Sequence, residues 1–189
     1  PGASGRSSQG TARLDARAGK GETERQAVQA GERVGTLLKK NNKNQNTMTI
    51  NEAQDEVIEE FSDFTDWMDK YQLLIDLGNE QEPLDEKYKT ESNLIDGCQS
   101  RVWLQADYVD GKIVFTAESD ALIVKGIIAL LIRVLSGHTP QEILDADLYF
   151  IERIGLKDHL SPTRSNGLLA MVKQIRMYAL AFKMKDEQN

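Results

Sequence analysis

Val102-Trp103-Leu104-Gln105-Ala106-Asp107-Tyr108-Val109-Asp110-Gly111-Lys112-Ile113-Val114-Phe115-Thr116-Ala117-Glu118 decides the fold. Every second residue from Val102 to Tyr108 can face a core, the period of a half-buried strand. Asp110-Gly111 then reads as a hairpin turn, because a two-residue type I′ turn needs positive φ at both positions. The return run places Ile113, Phe115 and Ala117 on one face. Two strands alone are marginal in water, so a third is expected from Leu94 and Ile95 just upstream. The sheet is therefore small and antiparallel, with about three strands.

Helices are expected on both sides of this hairpin. Thr49-Ile50-Asn51-Glu52 has the spacing of a capping box and opens a helix to about Phe61, burying Val57, Ile58 and Phe61. A second helix near 66–77 carries Trp67, Tyr71, Leu74 and Ile75 at helical spacing and stops before Gly78, with Trp67 and Tyr71 read as core. Asn79–Ser92 is polar, contains Pro83 and reads as a loop with at most one short turn.

Downstream, Ser119 or Asp120 is expected to cap a helix over 121–136 that ends before Gly137. It is apolar on all sides except the stripe Lys125, Ala129, Arg133, which makes it the central helix. Thr139-Pro140-Gln141-Glu142 is another capping box, with proline at the first helical position. A further helix near 147–154 stops at Gly155. Ser161-Pro162 then opens a long helix with the stripe Leu168, Val172, Ile175, Ala179, Phe182. Strands followed by a run of helices define an α+β domain: a small antiparallel sheet packed with several helices.

The charge is unevenly spread. The 189 residues carry a net −7, with 40% hydrophobic residues, enough for a core. Residues 1–47 have nine Lys/Arg, four Asp/Glu, seven of the fourteen glycines and no aromatic residue. So little apolar surface does not offset the entropy of ordering. They are expected to be a disordered, non-native leader, with Met48 as the natural start; the acids Asp15, Glu22, Glu24 and Glu32 argue against the alternative of a transit peptide. Residues 48–189 form the expected folded domain. Its excess of acid lies in 52–96, with 15 acidic residues against three lysines. That balance argues against nucleic acid, which needs clustered Lys/Arg. The longest apolar run, Ala121 to Leu135, is interrupted by Lys125, Gly126 and Arg133 and is too short to span a bilayer.

The chain has one cysteine, Cys98, in Asn93-Leu94-Ile95-Asp96-Gly97-Cys98-Gln99-Ser100-Arg101-Val102-Trp103. A structural thiol normally sits in an apolar segment. This one follows a glycine in a polar tip ahead of a strand, where scaffolds present reactive groups. One cysteine supplies neither an internal disulfide nor the several thiolates of a zinc or iron–sulfur site. Its available chemistry is that of a single thiolate. A free thiol suits a reducing compartment, so a cytoplasmic location is expected.

Gly97-Cys98-Gln99-Ser100-Arg101-Val102-Trp103 resembles the active-cysteine signature of SufE-type sulfur acceptors, G-C-Q-S-x-V-W. His159-Leu160-Ser161-Pro162-Thr163-Arg164-Ser165-Asn166-Gly167-Leu168 resembles that family's H-L-[ST]-P-[ST]-R-S-x-G-L. Between them, Ser119-Asp120-Ala121-Leu122-Ile123-Val124-Lys125-Gly126 is similar to its S-D-A-x-I-V-x-G helix start. The resemblance runs from about Thr49 to the C-terminus. It implies a SufE/IscU-like fold and a sulfur acceptor that takes persulfide sulfur onto Cys98 and stimulates its donor. The donor would be a SufS/CsdA-like cysteine desulfurase that holds the pyridoxal phosphate. The recipient would be an iron–sulfur scaffold. No cofactor, metal, nucleic acid or membrane is implied for this chain.

Gly97, Gln99, Ser100, Arg101, Asp120, His159 and Arg164 are the expected partner-binding or loop-supporting residues. Gly97 lets another protein's loop approach, Arg101 and Arg164 are candidate thiolate stabilisers, and Asp120 is a candidate cap holding the resting loop. Cys98 is expected to be partly shielded until a partner docks. Two rival readings stay open: a redox sensor oxidised at Cys98, and a hydrolase using Cys98 and His159 as nucleophile and base.

Overall fold

A computed structural model describes residues 48–188. The expected leader over 1–47 lies outside the described residues. Helix α1 spans Ile50–Ser62 and opens on the capping box, with the Glu52 carboxylate accepting from Thr49 N–H and the Thr49 hydroxyl accepting from Glu52 N–H. Val57 and Phe61 are fully buried, while Ile58 is only partly so.

Helix α2 covers Trp67–Asn79. It does not stop before Gly78 as expected. Gly78 is buried inside it, at the crossing with the central helix α3, Leu122–Leu135. A Cβ on Gly78 would stand 2.9 Å from the backbone nitrogen of Gly126, and one on Gly126 would stand 2.1 Å from the Leu74 carbonyl oxygen. Both glycines are there for close approach of two backbones. Trp67 and Tyr71 also depart from expectation: both are only partly buried, at the N-terminal end of α2. Two 3₁₀ turns, Glu86–Tyr88 and Glu91–Asn93, occupy the polar connection that follows.

The hairpin forms as read. Strands β1, Val102–Val109, and β2, Lys112–Ser119, pair antiparallel from Val102 opposite Ser119 to Val109 opposite Lys112. Asp110 and Gly111 take φ of 52° and 79°, the positive values that the turn requires. The third strand is reduced to one bridge, Leu94 to Trp103, with a hydrogen bond from Ile95 N–H to the Val102 carbonyl at 2.8 Å. Two residues later Gly97, at φ 87°, turns the chain away and pairing ends. The sheet is thus two-stranded, and it rests on the helices, with Ile113, Phe115 and Ala117 buried beneath it.

Helix α3 is the hub, packed by α1, α2 and β2. Its expected polar stripe is covered too. Ala129 is buried, Lys125 pairs with Glu118 at 2.7 Å, and Arg133 pairs with Glu60 of α1 at 2.5 Å. The expected cap is not made: α3 begins after Ala121 with no side-chain cap. Beyond it come α4, Pro140–Asp145, with its capping box formed; α5, Phe150–Arg153; and α6, Leu156–His159. Buried Gln54 stitches α1 to this region, donating to the Asp147 carbonyl and accepting from Phe150 N–H. The last helix, α7, runs Pro162–Asp186 from the N-cap Ser161. It buries Leu168, Met171, Ile175 and Ala179, and packs on α3 and α4, while Val172 and Phe182 are half-buried. Among the described residues no helix is long and apolar enough to cross a membrane.

Candidate functional site

The Cys98 loop is a closed turn pinned at its base and its tip. At the base, Ile95 N–H bonds the Val102 carbonyl. Arg101 N–H donates to the Asp120 carboxylate at 3.0 Å, and Asp120 N–H donates to the Arg101 carbonyl at 3.3 Å. Asp120, expected as a helix cap, therefore clasps the loop instead. Ser119, the other expected cap, bonds only Ala121 N–H through its hydroxyl and caps no N–H of α3.

At the tip, Gly97 lies over α7, where a Cβ would stand 3.6 Å from that of Ala170. The Cys98 thiol donates to the Gly167 carbonyl at 3.6 Å. Gly167 is buried against the sulfur, and a Cβ there would stand 3.5 Å from Cys98 Sγ. Cys98 is half-buried, as the shielding expectation required.

The loop forms one side of an open cavity of about 550 Å³. One wall is the first turns of α3, with Leu122, Val124 and Ile127; the other is the first turns of α7, with Thr163, Arg164, Gly167 and Met171. Gln99 and Ser100 line the loop side. Two helix N-termini thus face the thiol's cavity, and each carries partial positive charge that favours an anion. Burial works in the opposite direction and pushes the Cys98 thiol up from its ordinary value, keeping the resting sulfur protonated. The exposed Arg164 lines the cavity and Arg101 stands at the base of the loop.

His159 does not join Cys98. Its ring stacks on Trp67, its Nδ1 bonds the Gly155 carbonyl at 3.0 Å, and it does not line the cavity. His138, the second histidine, is buried with Nε2 on the Met48 carbonyl at 2.9 Å. The geometry thus provides no cysteine–histidine dyad. Among the described residues no group of His, Cys, Asp and Glu is arranged to hold a metal. Of the expected site residues, the structure brings together Cys98, Gln99, Ser100 and Arg164 around the cavity, with Gly97, Arg101 and Asp120 supporting the loop. Sequence reasoning missed the α3 wall residues and the Trp67 partner of His159. The spacing of Ser119–Gly126 marked the first of these segments, whereas no local signal marked the second.

Residues 55–179 match the model of the SufE family, the Fe-S metabolism associated domain, a span that includes the whole cavity. A SufE-like protein of Synechocystis sp., itself described as uncharacterized, is 40% identical over 128 residues, which are 68% of this chain and 80% of that protein. The solution structure of a hypothetical protein from Thermus thermophilus has the same fold. Its TM-score is 0.58 at 22% identity, over 68% of this chain and 94% of that one. With the family's span covering both walls and the thiol between them, the chain belongs to the SufE family, and its general role is sulfur transfer in iron–sulfur metabolism.

Proposed function

We propose that this chain accepts sulfur on Cys98 from a pyridoxal-phosphate-dependent cysteine desulfurase of the SufS/CsdA kind, stimulates that enzyme by unloading it, and passes the sulfur to an iron–sulfur scaffold in the cytoplasm. The observation that carries this reading is the placement of the thiol. It is presented on a glycine-led loop at an open cavity, held by one weak S–H···O contact to Gly167. A docking partner can break that contact at small cost.

In the transfer, the Cys98 thiolate attacks the terminal sulfur of the partner's persulfide. A new S–S bond forms to Cys98, the partner's internal S–S bond breaks, and its electron pair leaves on the partner's thiolate. The terminal sulfur keeps its proton, and no external oxidant or reductant enters. Such exchange needs an accessible thiolate and a good leaving group. Arg164 and the two helix N-termini favour the anion once the sulfur leaves the Gly167 carbonyl.

The test is mass spectrometry of the protein after incubation with a desulfurase and cysteine. Addition of one sulfur to the wild type and none to Cys98→Ser, with the variant folded, supports the acceptor role. No added sulfur, with a mixed disulfide formed instead when glutathione disulfide is supplied, points to redox sensing, and an acyl adduct formed from an added ester points to hydrolysis.

A further inference from the structure

Helix α2 ties together the two walls of the Cys98 cavity. Its C-terminal half is locked to α3 through the Gly78–Gly126 crossing, where the backbones are too close to slide. Its N-terminal turn grips the corner that leads into α7. There the His159 ring lies flat on Trp67, with centroids 3.8 Å apart and planes 12° from parallel. The Tyr71 hydroxyl, one turn along α2, donates to the His159 carbonyl. Trp67 also covers Gly155, which sits at φ 73°; a Cβ there would come within 3.3 Å of Trp67 Cζ2. Lys70 Nζ stands 5.0 Å from the centroid of the Trp67 ring.

Two contacts therefore converge on an exposed residue, His159, from a helix otherwise committed to α3. Two residues on, Ser161 caps α7 with its hydroxyl on Arg164 N–H. Thr163, Arg164 and Gly167 follow as the wall over the thiol. We infer that the clamp of Trp67 and Tyr71 on His159 is a positioning device: it fixes where α7 starts and so sets the width of the cavity over Cys98. The inference rests on the reading of Cys98 as sulfur acceptor for its use, but its geometry stands apart from that reading. The corner keeps its own core anchors, Leu156 and Leu160, both buried. Loss of the clamp leaves the chain folded and frees the direction of the first turn of α7, which carries Arg164, while the Cys98–Gly167 contact loosens.

The experiment measures the second-order rate of Cys98 alkylation by iodoacetamide, with circular dichroism and thermal melting on each variant. The variants are His159→Ala, His159→Phe, which keeps a flat ring on Trp67, and Tyr71→Phe, which removes one hydroxyl. His159→Ala is expected to raise the rate roughly two- to tenfold, the change an aromatic stack of ordinary strength imposes on an opening equilibrium. His159→Phe is expected to stay near the wild-type rate. An unchanged rate in folded His159→Ala, or an equal rise in His159→Ala and His159→Phe, overturns the clamp. If His159→Ala does not fold, Tyr71→Phe decides: a faster rate supports the clamp and an unchanged one overturns it. Desulfurase-dependent sulfur loading is measured in parallel on the wild type. Failure to load with the expected alkylation pattern rejects the acceptor reading and leaves the clamp standing.

Discussion

The Asp120 carboxylate accepts the Arg101 N–H at 3.0 Å, and the Asp120 N–H donates in return to the Arg101 carbonyl at 3.3 Å. This reciprocal pair closes the base of the Cys98 loop where β1 begins, and it joins that base to the short link between β2 and α3. Asp120→Ala removes the side-chain half and keeps the backbone half. The expected result is faster alkylation of Cys98 with a stability loss of about 1 kcal/mol, the scale of one exposed hydrogen bond. Asp120→Asn retains an acceptor oxygen and should fall between the two. A rate identical in all three proteins would show that the loop's base does not govern the thiol.

The α2–α3 crossing yields a sharper stability prediction. A methyl group on Gly126 meets the Leu74 carbonyl oxygen at 2.1 Å, a distance no side-chain adjustment relieves because the obstacle is backbone. Gly126→Ala should therefore cost about 3 kcal/mol or more, at the severe end of overpacking. Gly78→Ala meets Gly126 N at 2.9 Å and should cost less. Urea denaturation of the two variants gives the order, and a reversed order contradicts this geometry.

These same residues mark how far the sequence is legible. Both capping boxes, the hairpin turn and the helix stop at Gly155 are local: the residues that make them are neighbours in the chain, and propensity alone specifies them. Gly78 reads as a helix stop by the same local rule, but its actual constraint is Gly126, on another helix. Asp120 looks like a cap because it precedes a helix, yet the Arg101 N–H competes for it from across the sheet. Leu94 and Ile95 have strand character, but Gly97 ends their pairing after one bridge. Cys98 and Arg164 were readable as a site because two motifs flag them. The stack of Trp67 on His159 joins segments 92 residues apart, and no local pattern announces it.

The Arg133–Glu60 pair tests how α1 is held to the hub. It is 2.5 Å long, both side chains are nearly buried, and Glu60 Oε1 is buried without a hydrogen-bond partner among the described residues. Arg133→Met strands that carboxylate in the interior and should cost about 3 kcal/mol. Adding Glu60→Leu removes the stranded charge and should recover most of the loss. A double variant no more stable than Arg133→Met would mean that the loss does not come from a stranded Glu60 and lies with the arginine's other contacts, Glu56 at 3.9 Å among them.

The thiol itself makes the last prediction. Burial against Gly167 pushes the Cys98 thiol up, so the folded state favours the protonated form more than the unfolded chain does. This contribution to stability is intact below the unfolded thiol's pKa of about 8.5 and is lost as pH rises through the folded value. Two measurements follow from that sign. The alkylation rate of folded protein should climb at higher pH than that of the urea-unfolded chain. The stability difference between wild type and Cys98→Ser should also shift against the wild type as the pH becomes alkaline. Gly167→Ala sharpens the test, because its methyl would rest 3.5 Å from Sγ, an ordinary contact that deepens burial without a clash. Replacing a helical glycine should itself stabilise α7 by up to about 1 kcal/mol. The variant should thus melt higher yet react more slowly at neutral pH, with its alkylation midpoint displaced further upward. Coincident pH curves for the folded and unfolded wild type would show that the sulfur is already as solvated at rest as in the open chain.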